Sequence, residues 1–185
     1  MTDLDVGEVF LRDTLARMRG VKRLGEGALR QLGPDDWHAV LGPGENSVAV
    51  LIQHLVGNMR SRWGGFPHGD GEAVSRDRDA EFEDAGLSRE ELWALWEEGW
   101  GLFLGVLERV DPADLTRTLT IRGEPHTVLS AVQRQVAHYS GHVYQLVLLA
   151  RHRVGPGWQT LSIPRGRSAA FNAGMAGQHG PSRDE

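Results

Sequence analysis

Hydrophobic positions recur at helical spacing in four long stretches of this chain. Over residues 6–32, Val6, Val9, Phe10, Leu11, Leu15, Met18, Val21, Leu24 and Leu29 return near the 3.6-residue period of an amphipathic helix. Gly20 and Gly25 weaken its second half, since glycine costs about 1 kcal/mol relative to alanine inside a helix. Gly33-Pro34-Asp35-Asp36 ends the pattern, and Trp37 opens a connection that turns at Gly42-Pro43-Gly44. Asn46 or Ser47 can cap a second helix running to about residue 63, with Val48, Leu51, Leu55 and Met59 on its apolar stripe. Ser88-Arg89-Glu90-Glu91 is a capping box that opens a third helix, to about residue 110. Its inward or near-inward positions are Leu92, Trp93, Leu95, Trp96, Trp100, Phe103, Leu104 and Leu107, and Asp111-Pro112 stops it. His126-Thr127 leads into a fourth helix ending near residue 153. Its stripe is Val128, Leu129, Val132, Val136, Tyr139, Val143, Leu146 and Val147, and Gly155-Pro156-Gly157 follows.

Between these helices the pattern is weaker. Residues 64–86 form a long, polar, glycine-rich connection, of a length that usually marks a functional lid or a flexible loop. Residues 116–121 alternate threonine with apolar side chains and predict a short strand, with Arg122-Gly123-Glu124-Pro125 as a turn. Leu161-Ser162-Ile163 is the expected pairing partner of residues 118–121. A short helix is expected around residues 168–172, and a loose end beyond Gly174. The expectation is an all-α four-helix bundle with a long loop after helix 2 and small β or irregular additions near the C-terminus. Residues 1–165 would form the bundle domain and residues 166–185 the tail.

Composition narrows the function. The chain has 185 residues, enough for one domain, and 40% hydrophobic residues with six tryptophans supply a substantial core. Its 20 basic residues are outnumbered by 25 acidic ones and are dispersed, leaving no footprint for nucleic acid and no polybasic membrane anchor. No apolar run approaches the 18 or so residues of a membrane span, and the acidic N-terminus lacks the basic start of a secretory signal; a cytoplasmic protein is expected. Cysteine is absent. Any thiol chemistry therefore needs a thiol carried by a small molecule.

The histidines carry the chemistry. His138 and His142 are spaced i, i+4 on helix 4, so both imidazoles leave one face with Cβ atoms roughly 6 Å apart. His54 sits in the apolar run of helix 2. A lone histidine on an apolar face is usually a satisfied core residue. Three buried imidazoles without an ion would need many hydrogen-bond partners in an apolar interior. One divalent ion could instead bridge the pair at about 2.0–2.1 Å, and a third imidazole from helix 2 would leave a coordination position open for chemistry. His126 is roughly 18 Å from His138 along the axis and His152 roughly 15 Å from His142, too far to join them on one helix. His38, His68 and His179 fall in loops or the tail. The zinc-protease pattern His-Glu-x-x-His is excluded because Tyr139 follows the first histidine.

Several further blocks stand out: Asn46-Ser47-Val48-Ala49 with His54-Leu55-Val56-Gly57-Asn58-Met59-Arg60-Ser61-Arg62-Trp63, then Arg76-Asp77-Arg78-Asp79-Ala80-Glu81-Phe82 and Ile121-Arg122-Gly123-Glu124-Pro125-His126-Thr127. Arg134-Gln135-Val136-Ala137-His138, His142-Val143-Tyr144-Gln145 and Leu161-Ser162-Ile163-Pro164-Arg165-Gly166 complete them. In this order they resemble the DinB/YfiT-like metalloenzyme superfamily and, within it, the DUF1572 branch. The resemblance implies a four-helix bundle holding a divalent ion on three histidines, which fall at His54, His138 and His142. It implies a homodimer. It also implies transferase or isomerase chemistry on low-molecular-weight thiols such as bacillithiol, mycothiol or glutathione, although many members have no known reaction.

The leading expectation is a metal-dependent thiol S-transferase acting on small electrophiles, with zinc or nickel as the cofactor; imidazole alone does not choose between them. The rival is a non-catalytic metal-binding or stress-response bundle. Asn58 and Arg62 continue the His54 face, and Arg134 precedes His138 by one turn. These three are the candidate substrate-binding residues, with the arginines suited to a carboxylate on the thiol. Against that stands the ordinary pairing of exposed arginines with surface acids. Gln145 lies three residues beyond His142. Tyr139 and Tyr144 are expected to pack with their hydroxyls reaching polar partners.

Overall fold

Each of the four long helices begins at a side chain able to satisfy its free N-terminal amides. The computed structural model describes residues 5–68 and 76–178, the last four by backbone alone. Helix α1, Val6–Leu29, starts at Asp5, whose carboxylate accepts from the Gly7 and Glu8 amides at 2.6 and 3.1 Å. Helix α2, Val48–Trp63, is capped by Ser47, and α3, Arg89–Leu107, by the reciprocal Ser88–Glu91 box. Helix α4, Val128–Val154, is capped by Thr127 and ends at Gly155, whose φ of +60° needs no Cβ penalty. A fifth helix, α5, covers Ser168–Gln178.

The four long helices close into one bundle. α2 packs mainly on α3 and α1 on α4, while α2–α4 and α1–α3 contacts complete the ring. The interior is filled by Met18, Leu29, Leu51, Ile52, Leu55, Met59, Leu92, Trp96, Trp100, Phe103 and Tyr139, all fully buried or nearly so. Glycine admits the largest of these. Trp96 lies against Gly25 of α1, where an added Cβ would stand 2.6 Å from the indole edge. Gly25 therefore gives α1 its contact with α3, and the helix runs through it without a break.

Several boundaries and faces differ from the sequence expectation. Helix α1 stops at Leu29, because the amides of Gln31 and Leu32 turn back to the carbonyls of Ala28 and Leu29 in a tightened last turn. Helix α3 likewise stops at Leu107. Val6 and Leu129 are exposed. Val6 lies at the outer end of its helix, and Val128 takes the buried place in the first turn of α4 while Leu129, about 100° further round, faces outward. Trp37 is a core residue, packed edge-on against Trp93, and not merely part of a connection.

The small sheet also differs. Strand β1, Thr118–Ile121, pairs antiparallel with β2, Glu124–Thr127, in the register Thr118↔Thr127 and Ile121↔Glu124. The loop is only Arg122-Gly123, with φ of +55° and +74°, the geometry of a tight type I′ hairpin. Residues 161–163 form a bend and do not pair with β1. His126 lies on β2 rather than in α4. Residues 69–75 of the long connection and 179–185 of the tail, including His179, lie outside the described residues. Among the described residues no helix is long and apolar enough to cross a membrane.

Gly25→Ala is expected to destabilise the bundle by about 1–3 kcal/mol, because overpacking a sealed indole outweighs alanine's better helix propensity. A lowered denaturant midpoint at unchanged slope is the readout; an unchanged or raised midpoint would contradict this packing.

Candidate metal centre

Helical periodicity turns one face of α2 and one face of α4 toward each other. On α2, Leu51, Leu55 and Met59 fill the core, which leaves His54 and Asn58, one turn apart, at its boundary. On α4, buried Tyr139 and Val143 flank the His138–His142 ridge. The structure brings the three imidazoles together. His138 Nε2 lies 3.3 Å from His54 Nε2 and 3.2 Å from His142 Nε2. Their potential ligand atoms all fall within 4.8 Å of one another.

Hydrogen-bond accounting shows what faces the shared centre. His54 Nδ1 is 3.0 Å from Glu81 Oε2, an acceptor, so a proton belongs on Nδ1, and in the neutral ring Nε2 carries a bare lone pair. His142 Nδ1 is 2.9 Å from Gln145 Oε1, which fixes the same tautomer. His138 can donate to at most one of these two nitrogens, and its buried Nδ1 has no partner. At least one nitrogen lone pair therefore points inward unanswered by any proton. A divalent ion held among the three rings would resolve this. Two ligands at 2.0–2.1 Å on a tetrahedral ion stand roughly 3.3–3.4 Å apart, close to the two spacings that His138 makes here.

Electrostatics keeps these groups in ligand form. Burial, reinforced by nearby His142, His54, Arg76 and Arg134, pushes the His138 pKa down to about 3. Burial also lowers His142, against the opposing bond to Gln145. Both rings are thus neutral near pH 7, as metal coordination requires.

Glu81 is the residue that sequence periodicity misses. It lies in a 3-10 turn, Ala80–Phe82, within the long connection. Arg76 grips its carboxylate with two bonds of 2.6 and 2.7 Å. Burial works to raise the Glu81 pKa, but the hydrogen bonds from Arg76 and His54 win and hold it below the usual carboxylate range. Gly57 makes the approach possible, since a Cβ there would overlap the carboxylate. Phe82 stacks on the His54 ring with centroids 4.5 Å apart. Gln53 ties the same segment to α2 through the Glu83 carbonyl and the Ala85 amide. The available signal was one of three glutamates in a polar loop, and spacing cannot say that it returns to helix 2.

A cavity of about 150 Å³ adjoins the cluster, with His54, His138 and Asn58 in its wall. Five arginines also line it: Arg62, Arg76, Arg78, Arg122 and Arg134. All three candidate substrate-binding residues therefore border it, Arg62 buried and Arg134 exposed. Asn58 has a structural bond as well. Its Oδ1 accepts from the Tyr139 hydroxyl at 3.0 Å, which in turn accepts from Trp63 Nε1 at 2.8 Å. Arg122 comes from the positive-φ position of the hairpin loop, a conformation costing a non-glycine residue of order 1 kcal/mol or more. The remaining described histidines stay apart. His38 meets Asp84 and the Leu87 carbonyl, His126 is on β2, and His68 and His152 are exposed.

A family model described as "Protein of unknown function (DUF1572)" matches residues 5–167. A crystal structure of a DinB-like protein from Bacillus cereus ATCC 10987 is similar in fold, with a TM-score of 0.56 and 16% sequence identity over 75% of this chain and 89% of that one. No curated protein matches the chain.

Tyr139→Phe would strand the Trp63 indole N–H and the Asn58 oxygen in the interior, at a cost of about 1–3 kcal/mol. Urea unfolding of the two proteins measures it; equal stability would mean that the chain of bonds through Tyr139 contributes nothing.

Proposed function

This chain belongs to the DUF1572 family, and we propose that it is a divalent-metal-dependent enzyme that transfers low-molecular-weight thiols to small electrophiles. The observation that supports this most is the inward set of imidazole nitrogens, two of them held as bare lone pairs by Glu81 and Gln145. His54, His138 and His142 would hold the ion, and three neutral imidazoles suit zinc or nickel. When bound, the ion supplies Lewis acidity that favours thiolate over thiol. The rest falls to the chain. Glu81 and Gln145 fix ring orientation and tautomer, the outer support that metal-binding histidines ordinarily have. Arg62 and Arg134 stand where they can grip a carboxylate of the thiol and bring its sulfur to the cluster. The positive cavity further favours an anionic sulfur. The absence of cysteine means no protein thiol competes.

Metal analysis of the purified protein is expected to find about one zinc or nickel per chain, and His138→Ala none. Undiminished metal in that variant would remove the site. Glu81→Gln keeps the ligands but replaces the carboxylate behind His54, and a drop in affinity of about 10–100-fold is expected in a competition titration.

Catalysis is tested by incubating the zinc- or nickel-loaded protein with glutathione, bacillithiol or mycothiol and an activated aryl halide, and following thioether formation. Acceleration that His138→Ala abolishes supports the transferase. Bound metal without turnover across these thiols would leave a non-catalytic metal-binding bundle.

A further inference from the structure

Beside the arginine-lined cavity lies a second, larger one of about 310 Å³. A cleft of this size stands at the lower end of small-molecule sites. Its walls are mostly apolar: Trp63, Phe66, Pro67, Leu119, Ile121 and Ala131. Trp63 is pinned by its bond to Tyr139, and Leu119 and Ile121 are the inward positions of β1. The hairpin thus closes both chambers, with Ile121 in the apolar wall and Arg122 in the charged one.

Arg62 and Gln135 line both cavities and mark their junction. Gln135 lies on α4, three residues before His138, on the ridge that carries the histidines. It is 2% exposed, yet its side-chain Oε1 has no hydrogen-bond partner. A buried amide oxygen left unpaired costs stability, and such groups are rare enough to need a reason. Gln135 lines both cavities, so a ligand donor at their junction would give this oxygen the partner it lacks.

We infer that the two cavities form one elongated site for an acidic amphipathic substrate: an alkyl or aryl body in the apolar chamber, an N–H or O–H donor on Gln135 Oε1, and an acid group among the arginines beside the histidines. This deepens the proposed function by naming the class of substrate, and it rests on that reading only for which end reacts. Gln135 is a binding residue here, and Trp63, Ile121 and Ala131 set specificity for the apolar body.

The probe is N-octanoylglycine, which has an apolar chain, one amide N–H and a carboxylate, titrated calorimetrically into the purified protein. Single-site binding is expected. N-octanoylsarcosine, in which a methyl replaces that hydrogen, should bind about five- to tenfold more weakly, the worth of one hydrogen bond. N-methyloctanamide, without the acid, should also bind more weakly. In Gln135→Leu the preference for the N–H ligand over its N-methyl form should vanish, while the unfolding temperature stays level or rises. Ala131→Phe and Ile121→Trp fill the apolar chamber and should lose the probe while keeping helical circular dichroism; if both unfold, Gln135→Leu decides. The inference is overturned if the wild type does not bind N-octanoylglycine, if a folded chamber-filling variant still binds it, or if Gln135→Leu keeps the N–H preference or loses stability. The metal reading fails separately: His138→Ala should retain the probe, and a protein that binds the probe as described but never binds metal keeps the chamber and loses the metal centre.

Discussion

The site depends on one buried ionic contact, the carboxylate of Glu81 between Arg76 and His54. Removing a carboxylate from water is costly unless its oxygens are answered, and here two guanidinium bonds and an imidazole N–H answer them. The contact has two consequences. It holds the segment after helix α2 against that helix, with Gly57 leaving the space. It also commits the His54 proton to Nδ1, so that Nε2 meets His138 as a lone pair. Gln145 does the same for His142 with a neutral amide. Glu81 is far from its partner in sequence but sets the electronic character of the cluster.

The apolar bundle and the polar site support each other. Tryptophans and Phe103 fill the space between α1, α2, α3 and α4, and Gly25 and Gly99 permit close helix approach, Gly99 against Met59 and Val56. That packing fixes α2 relative to α4. The chain of bonds from Trp63 through Tyr139 to Asn58 crosses the same interface, where a hydrogen bond in low dielectric is strong and a missing partner costly. The site consequently stands on rigid helices, and the hairpin adds the wall of the cavities.

Much of this was legible in the chain. Helical periodicity located four long helices to within a few residues, and Ser47, the Ser88–Glu91 box and Gly155 marked their ends through local chemistry. The i, i+4 spacing of His138 and His142 required a shared face. His54 could be nominated from its apolar run and from family resemblance. Where the reading went wrong, long-range contact was responsible. Residues 161–163 have a strand-like pattern, but the two-residue loop at Arg122-Gly123 lets β2 reach β1 first. Trp37 looks like a connection because no local period surrounds it, and contacts distant in sequence, Trp93 of α3 among them, make it core.

By itself the sequence determined the bundle, its caps and the one-faced histidine pair, because helix formation and side-chain direction follow from residues within a turn or two of each other. The tertiary structure alone decided that His54 meets that pair, that Glu81 and not a helix residue backs it, and that five arginines and Gln135, its side-chain oxygen unpaired, line adjoining cavities. Those features join α2, α4, the hairpin and the segment after α2. Their distances are set by how whole helices pack, which no spacing along the chain encodes.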